Sequence, residues 1–171
     1  MKSWDKAKLV ECAKEQVGKP FKWGGEKPAG FDCTGLVSYC FTQAGLPMFH
    51  HTAEDLVRYC DEVERPEAGD LVFRRQYNEK ASKDIIDHIG VYVGNGKVVS
   101  ARGLKGKVIV EDYDKKEYNV SARLRPNYRK PSKKGYFKRQ PGYRWRKSNR
   151  PQSVRLKKKG KTGMPSAKRT R

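Results

Sequence analysis

Two short runs of this 171-residue chain hold side chains whose types can do chemistry together: Asp32-Cys33-Thr34-Gly35-Leu36 and Asp87-His88-Ile89-Gly90-Val91-Tyr92. The first places a cysteine at the expected start of a helix, directly after an aspartate able to cap it. The second places a histidine at the start of an alternating strand. A cysteine attacks a carbonyl as its thiolate, and a helix N-terminus favours that anion through unpaired N–H groups and positive dipole potential. A histidine that accepts the thiol proton completes a nucleophile and its base. Each residue also has a plainer reading. Cys33 can be a small buried side chain, as is expected of Cys12, Cys40 and Cys60, and His88 a histidine satisfied at a sheet edge. The combination of the two runs favours the chemical reading.

The elements that must position this pair are readable along the chain. Ser3 can cap a first helix carrying Leu9, Val10, Ala13 and Val17, which Gly18 and Pro20 end. A Gly- and Pro-rich loop from Phe21 to Gly30 leads to a second helix with the apolar stripe Leu36, Val37, Cys40, Phe41 and Ala44. Thr52, three residues before Asp55, opens a third helix expected to run through Leu56, Val57 and Cys60. Strands follow at Leu71–Phe73, Ile89–Val93, Lys97–Ala101, Lys107–Glu111 and Tyr118–Leu124. Helices first and antiparallel strands after predict an α+β domain, with helices packed on one sheet of about five strands.

Register decides what lies beside His88. A two-residue turn at Asn95-Gly96 pairs Ser100 with Val91, on the face away from His88. A three-residue loop, Gly94–Gly96, instead pairs Ser100 with Gly90 and Arg102 with His88. The second register is the one predicted. It puts the Ser100 hydroxyl diagonal to the imidazole and a guanidinium opposite it, and that cation opposes imidazolium formation.

Charge divides the chain. The whole carries a formal charge of +20, yet residues 126–171 hold 18 Lys and Arg and no acid, while all 19 acidic residues lie at or before Glu117. Residues 1–125 therefore read as a near-neutral globular domain and 126–171 as a basic, Pro-containing tail of low complexity, unstructured when alone. Tyr128, Tyr136, Phe137, Tyr143 and Trp145 lie among the cations in its first half. A polyanion is the expected partner: nucleic acid, teichoic acid or the phosphates of a membrane, among which charge does not choose. A solubilising tail with no specific target is the plainer alternative. Four cysteines without paired short spacing and three histidines indicate neither a metal site nor a disulfide frame, and no cofactor is expected. No run approaches the roughly 18 apolar residues of a membrane span. The polar opening residues lack a signal peptide's apolar core, so synthesis in the cytoplasm is expected, with a bacteriophage virion or lysis role as an indirect inference.

Four ordered blocks, Gly18-Lys19-Pro20-Phe21-Lys22-Trp23-Gly24-Gly25, Gly30-Phe31-Asp32-Cys33-Thr34-Gly35-Leu36-Val37, Pro66-Glu67-Ala68-Gly69-Asp70-Leu71-Val72-Phe73 and His88-Ile89-Gly90-Val91-Tyr92-Val93-Gly94-Asn95-Gly96, resemble the NlpC-type family of papain-like bacterial cell-wall peptidases. The resemblance covers residues 7 to about 112. It implies a papain-like fold and cleavage of a peptide bond in peptidoglycan stem peptides, often the D-glutamyl to diamino-acid link. Cys33 is the implied nucleophile and His88 the implied base. Ser100 stands where relatives commonly hold a histidine that orients the base. Asp32 and Thr34 beside the nucleophile, Phe21 and Trp23 in the loop, and Thr52 are the implied substrate-binding residues. Phe21 replaces a usual tyrosine. His50-His51-Thr52 replaces a segment that in some relatives grips a free amine, and His50 and His51 are expected to form an exposed loop or substrate rim. Two functional readings follow: a cysteine endopeptidase, or a papain-like scaffold weakened in catalysis that serves as a virion- or nucleic-acid-associated binding protein.

Overall fold

The computed structural model describes residues 4–129; the N-terminal Ser3 and most of the basic tail lie outside the described residues. In chain order the elements are α1 (Lys6–Glu15), β1 (Glu26–Lys27), β2 (Gly30–Phe31), α2 (Cys33–Gln43), α3 (Ala53–Leu56), β3 (Cys60–Glu62), β4 (Leu71–Asn78), β5 (Lys83–Gly94), β6 (Lys97–Arg102), β7 (Lys107–Asp112) and β8 (Val120–Leu124). The strands β3-β8-β4-β5-β6-β7 form one antiparallel sheet in that order, and β1 and β2 form a separate two-stranded ribbon. This is the expected α+β architecture, with six strands in the main sheet.

The cap of α1 is Asp5, whose carboxylate accepts from the N–H groups of Ala7 and Lys8 at 2.9 and 3.2 Å. The third helix is shorter than its pattern suggests. It ends at Leu56, passes through a 3₁₀ turn at Val57–Tyr59, and Cys60 opens β3 against Leu124. Pairing with the last strand overrides the local helical signal there, and it supplies the sixth strand.

One face of the sheet packs on the helices. Leu9 and Ala13 of α1, Leu36, Val37, Cys40 and Phe41 of α2, and Ile89, Val91 and Val99 from β5 and β6 are buried in one core. Each fully buried Leu, Val, Ile or Phe among them contributes about 1.5–3 kcal/mol. The opposite face carries a smaller cluster of Val72, Val98 and Tyr118, flanked by Tyr92 and Tyr113.

The β5–β6 hairpin reaches the predicted register by a different route. Its turn is the two-residue one, with Asn95 and Gly96 both left-handed at φ of 53° and 68°, closing on the Gly94–Lys97 pair. A bulge at Val93 then adds one residue, so that Tyr92 pairs with Val98 and Val91 with Val99. The paired ladder ends there, with Gly90 still beside Ser100, whose Cβ lies 3.3 Å from where a β-carbon on Gly90 would sit.

The domain also takes up Tyr128, three residues beyond the expected end at 125. Its ring is buried, its hydroxyl lies 2.7 Å from His51 Nε2, and it packs edge-on against Tyr59 at 5.2 Å. Among the described residues no helix is long and apolar enough to cross a membrane.

Candidate active site

Asp32 builds the start of α2. Its Oδ1 accepts from the Gly35 N–H at 2.7 Å and from the Thr34 hydroxyl at 3.2 Å, while Oδ2 accepts from the Gly24 N–H at 2.9 Å. One carboxylate thus caps the helix and ties the preceding loop to it. The loop sits so close that a β-carbon on Gly35 would lie 1.9 Å from the Gly25 carbonyl oxygen. Cys33 is the first residue of α2 and is partly exposed, unlike Cys12, Cys40 and Cys60, which are buried. All four are free thiols.

The Cys33 sulfur faces three backbone N–H groups: its own, that of Thr34, and that of Ile89, the residue after His88. The last of these brings the sulfur to the strand that carries the histidine. Burial, followed by the negative charge of Asp32, outweighs these donors and pushes the thiol up to about 11. The free site therefore holds a protonated thiol at neutral pH, whereas the helix terminus alone favours a thiolate.

His88 is 6% exposed. Burial first, then the charges of Arg102 and Arg74, push its imidazole down to about 4. Arg74 is its direct cross-strand neighbour on β4. Among the described residues, the buried Nε2 of His88 has no hydrogen-bond partner. Ser100 is on the predicted face but does not fill that vacancy. Its hydroxyl donates to Glu111 Oε1 at 2.8 Å and lies 3.2 Å from the Tyr118 hydroxyl, whose proton goes to the same carboxylate.

The remaining expected site residues divide. Phe21 and Trp23 stack edge to face with centroids 5.2 Å apart, and Trp23 is 83% exposed beside the Asp32-bound Gly24. The Phe21 ring lies against Gly103, where a β-carbon would sit 3.5 Å away, and its N–H donates to the Gly106 carbonyl at 2.8 Å. Thr34 shares the Asp32 cluster. Thr52 acts as a helix cap, its hydroxyl accepting from the Asp55 N–H at 3.1 Å.

The expectation of an exposed His50-His51 rim is corrected. His51 is buried at 2% exposure in a ring cluster with Tyr59 and Tyr128, and burial holds its imidazole below the usual range. The ring of His50 turns to Asp32, with Nε2 at 2.7 Å from Oδ1 and 3.0 Å from the Thr34 hydroxyl, and its Nδ1 is 3.5 Å from Glu26. Asp32 accordingly raises the His50 pKa.

Sequence reasoning named Arg102 but missed the rest of the polar cluster on the His88 face. Arg74 grips Asp87 through Nε at 2.8 Å and Nη2 at 3.1 Å, and Arg102 grips Glu111 through Nε and Nη2, both at 3.0 Å. Glu117 Oε1 joins the two guanidiniums at 2.8 Å from each. The available signal was the alternation of β7, which puts Glu111 on the same inward face as Ser100. Among the described residues, no group of three or more His, Cys, Asp or Glu side chains is placed to hold a metal ion.

Known proteins carry the same framework. Residues 18–123 match the NlpC/P60 family. The chain is 37% identical over 134 residues to the murein DD-endopeptidase MepH of Escherichia coli K12, covering 69% of this chain and 48% of that protein. It is 41% identical over 97 residues to the bifunctional muramidase/DL-endopeptidase CwlT of Bacillus subtilis 168, covering 54% and 28%. The chain thus spans about half the length of MepH and less than a third of CwlT. Among solved structures, the peptidoglycan hydrolase RipB of Mycobacterium tuberculosis superimposes with a TM-score of 0.56 at 28% identity, over 69% of this chain and 63% of that one. With a cysteine-led helix on an antiparallel sheet and a match across most of the described domain, the chain belongs to the NlpC/P60 family.

Proposed function

We propose that the chain is a cysteine endopeptidase that hydrolyses a peptide bond in peptidoglycan stem peptides, with Cys33 as nucleophile and His88 as base. The observation that supports this most directly is the approach of the Cys33 sulfur, at the N-terminus of α2, to the Ile89 N–H on the strand bearing His88. MepH and CwlT, named as murein and DL-endopeptidases, support the substrate class.

The resting pair is neutral, so the thiol proton moves to His88 as the sulfur–carbon bond forms. The N–H groups at the start of α2 are the donors nearest the developing oxyanion. Collapse of the tetrahedral intermediate breaks the carbon–nitrogen bond, and the imidazolium gives its proton to the leaving amine. Water, deprotonated by His88, then cleaves the thioester and regenerates the thiol. Trp23, exposed beside this helix terminus, offers an apolar face to the substrate.

The test is mass spectrometry of defined muropeptides incubated with wild type and Cys33→Ala. New free-amine fragments with wild type and none with the variant are expected. An intact substrate with both would overturn the assignment. That outcome would favour a second reading, a retained scaffold weak in catalysis, which the flanking of His88 by Arg74 and Arg102 supports. The basic segment, residues 126–171, serves in either case as a polyanion-binding tail. Its binding to duplex DNA or teichoic acid should weaken steeply with added salt.

A further inference from the structure

The proposed base lies among charged groups, and among the described residues its buried Nε2 has no hydrogen-bond partner. Arg74 on β4 pairs across from His88, and the Arg102 guanidinium on β6 also bears on the imidazole as a positive charge. Asp87, Glu111 and Glu117 bind those two guanidiniums, the Tyr118 ring lies 5.9 Å from the imidazole at 36°, and the backbone N–H of the next residue, Ile89, faces the Cys33 sulfur. Two cations and three carboxylates leave one formal negative charge. When His88 takes a proton, the cluster becomes neutral.

Glu111 has the densest connections of the three acids. It accepts from the Ser100 hydroxyl at 2.8 Å, from Arg102 Nε and Nη2 at 3.0 Å each, and from the Tyr118 hydroxyl in a short contact. Four donors hold one carboxylate ionised and fixed. Through Tyr118 it sets the wall against which the imidazole packs. Through Arg102 it neutralises the cation most opposed to imidazolium. The Arg102 side chain also lies over the Tyr118 ring, its Cζ 5.6 Å from the centroid, so one carboxylate orders both.

We infer that Glu111, contributed by the strand next to that of Ser100, is the positioning residue that sets the ring orientation and basicity of His88. It does not touch the substrate, and the inference rests on the assignment of His88 as base. Ser100 is then one of the donors that order Glu111, while the counter-charge to the imidazolium comes from one strand further along the sheet.

Opposite substitutions test it in the full chain. Glu111→Gln removes the negative charge and retains the shape. Arg102→Gln removes the opposing positive charge. The His88 ring is followed by its histidine carbon-13 resonances from pH 3 to 8, assigned with His88→Gln, and kcat/KM on a muropeptide is measured over the same range. Glu111→Gln is expected to move the His88 titration and the acid limb of kcat/KM to lower pH, and to lower the plateau by up to about tenfold for each unit of pKa lost. Arg102→Gln is expected to move the His88 titration to higher pH. Asp112→Asn, which removes an exposed charge from the same strand, leaves both curves in place. Unchanged His88 titration in Glu111→Gln, or the same direction of shift in both variants, would overturn the inference. If Glu111→Gln does not fold, Tyr118→Phe, which removes the hydrogen bond to Glu111 and keeps the ring beside the imidazole, is expected to shift the His88 titration, and an unchanged titration overturns the inference. A wild type that leaves muropeptides intact refutes the hydrolase assignment alone, since the resonances report the Glu111–His88 coupling without turnover.

Discussion

His50 Nε2 lies 2.7 Å from Asp32 Oδ1, so a histidine seventeen positions beyond the proposed nucleophile holds the carboxylate that caps the nucleophile's helix. The pair is partly buried and extended by Thr34 and Glu26. Asp32 raises the folded-state pKa of His50 above its unfolded value. The stabilisation from protonated His50 is therefore fully present below about pH 6.5, and it is lost as pH rises through the raised folded value. His50→Ala should cost about 1 kcal/mol at pH 5.5 and distinctly less at pH 9, as read from urea unfolding at the two pH values. An equal cost at both would mean that the contact carries no charge.

The Cys33 thiol, held up near 11 by burial and by Asp32, predicts slow chemistry in the free protein. Alkylation by iodoacetamide at pH 7 should be slower than that of a model thiol, and should accelerate as pH approaches about 11. The rate–pH curve of a protein with Cys12, Cys40 and Cys60 replaced by Ala would measure this. Slow labelling is thus compatible with an active enzyme whose thiol loses its proton only during attack, and cleavage of muropeptides is the measurement that separates activity from its loss.

The close approach of the Gly25 carbonyl to Gly35 fixes the loop over the first turn of α2. Gly35→Ala places a methyl group against backbone, which has no rotamer to escape into. Destabilisation of about 2–3 kcal/mol is expected, with loss of muropeptide cleavage at temperatures where the variant remains folded. Thermal unfolding and turnover measured together would show whether the loop must hold this position.

Tyr128 belongs to the folded domain although it stands among the cations of the C-terminal segment. Its ring packs with His51 and Tyr59, and Tyr128→Ala should cost about 3 kcal/mol in chemical denaturation. A variant as stable as wild type would place the end of the domain nearer Arg125.

The short-range features of the chain were readable from its residues because their causes are short-range. Asp32 reaches the Gly35 N–H three positions away, the stripe from Leu36 to Phe41 follows the helical period, and the alternation from His88 to Val93 assigns faces to a strand. Even the hairpin register followed from the face each residue must occupy. That a two-residue turn and a bulge at Val93 would combine to produce it did not, since either loop geometry satisfies the local pattern.

Packing settled what separation along the chain conceals. His51 meets Tyr128 across 77 positions, Cys60 leaves a helical pattern to pair with Leu124, and Ser100 turns to Glu111 and Tyr118. A hydroxyl or a carboxylate has several possible partners of similar energy. Which one it takes is fixed only when burial removes water and brings particular strands side by side. The sequence by itself determined a capped cysteine, a strand-borne histidine and the face that histidine occupies. Only the tertiary structure decided which charges besides Arg102 surround that histidine, because those charges arrive from β4, β5, β7 and the segment that follows β7.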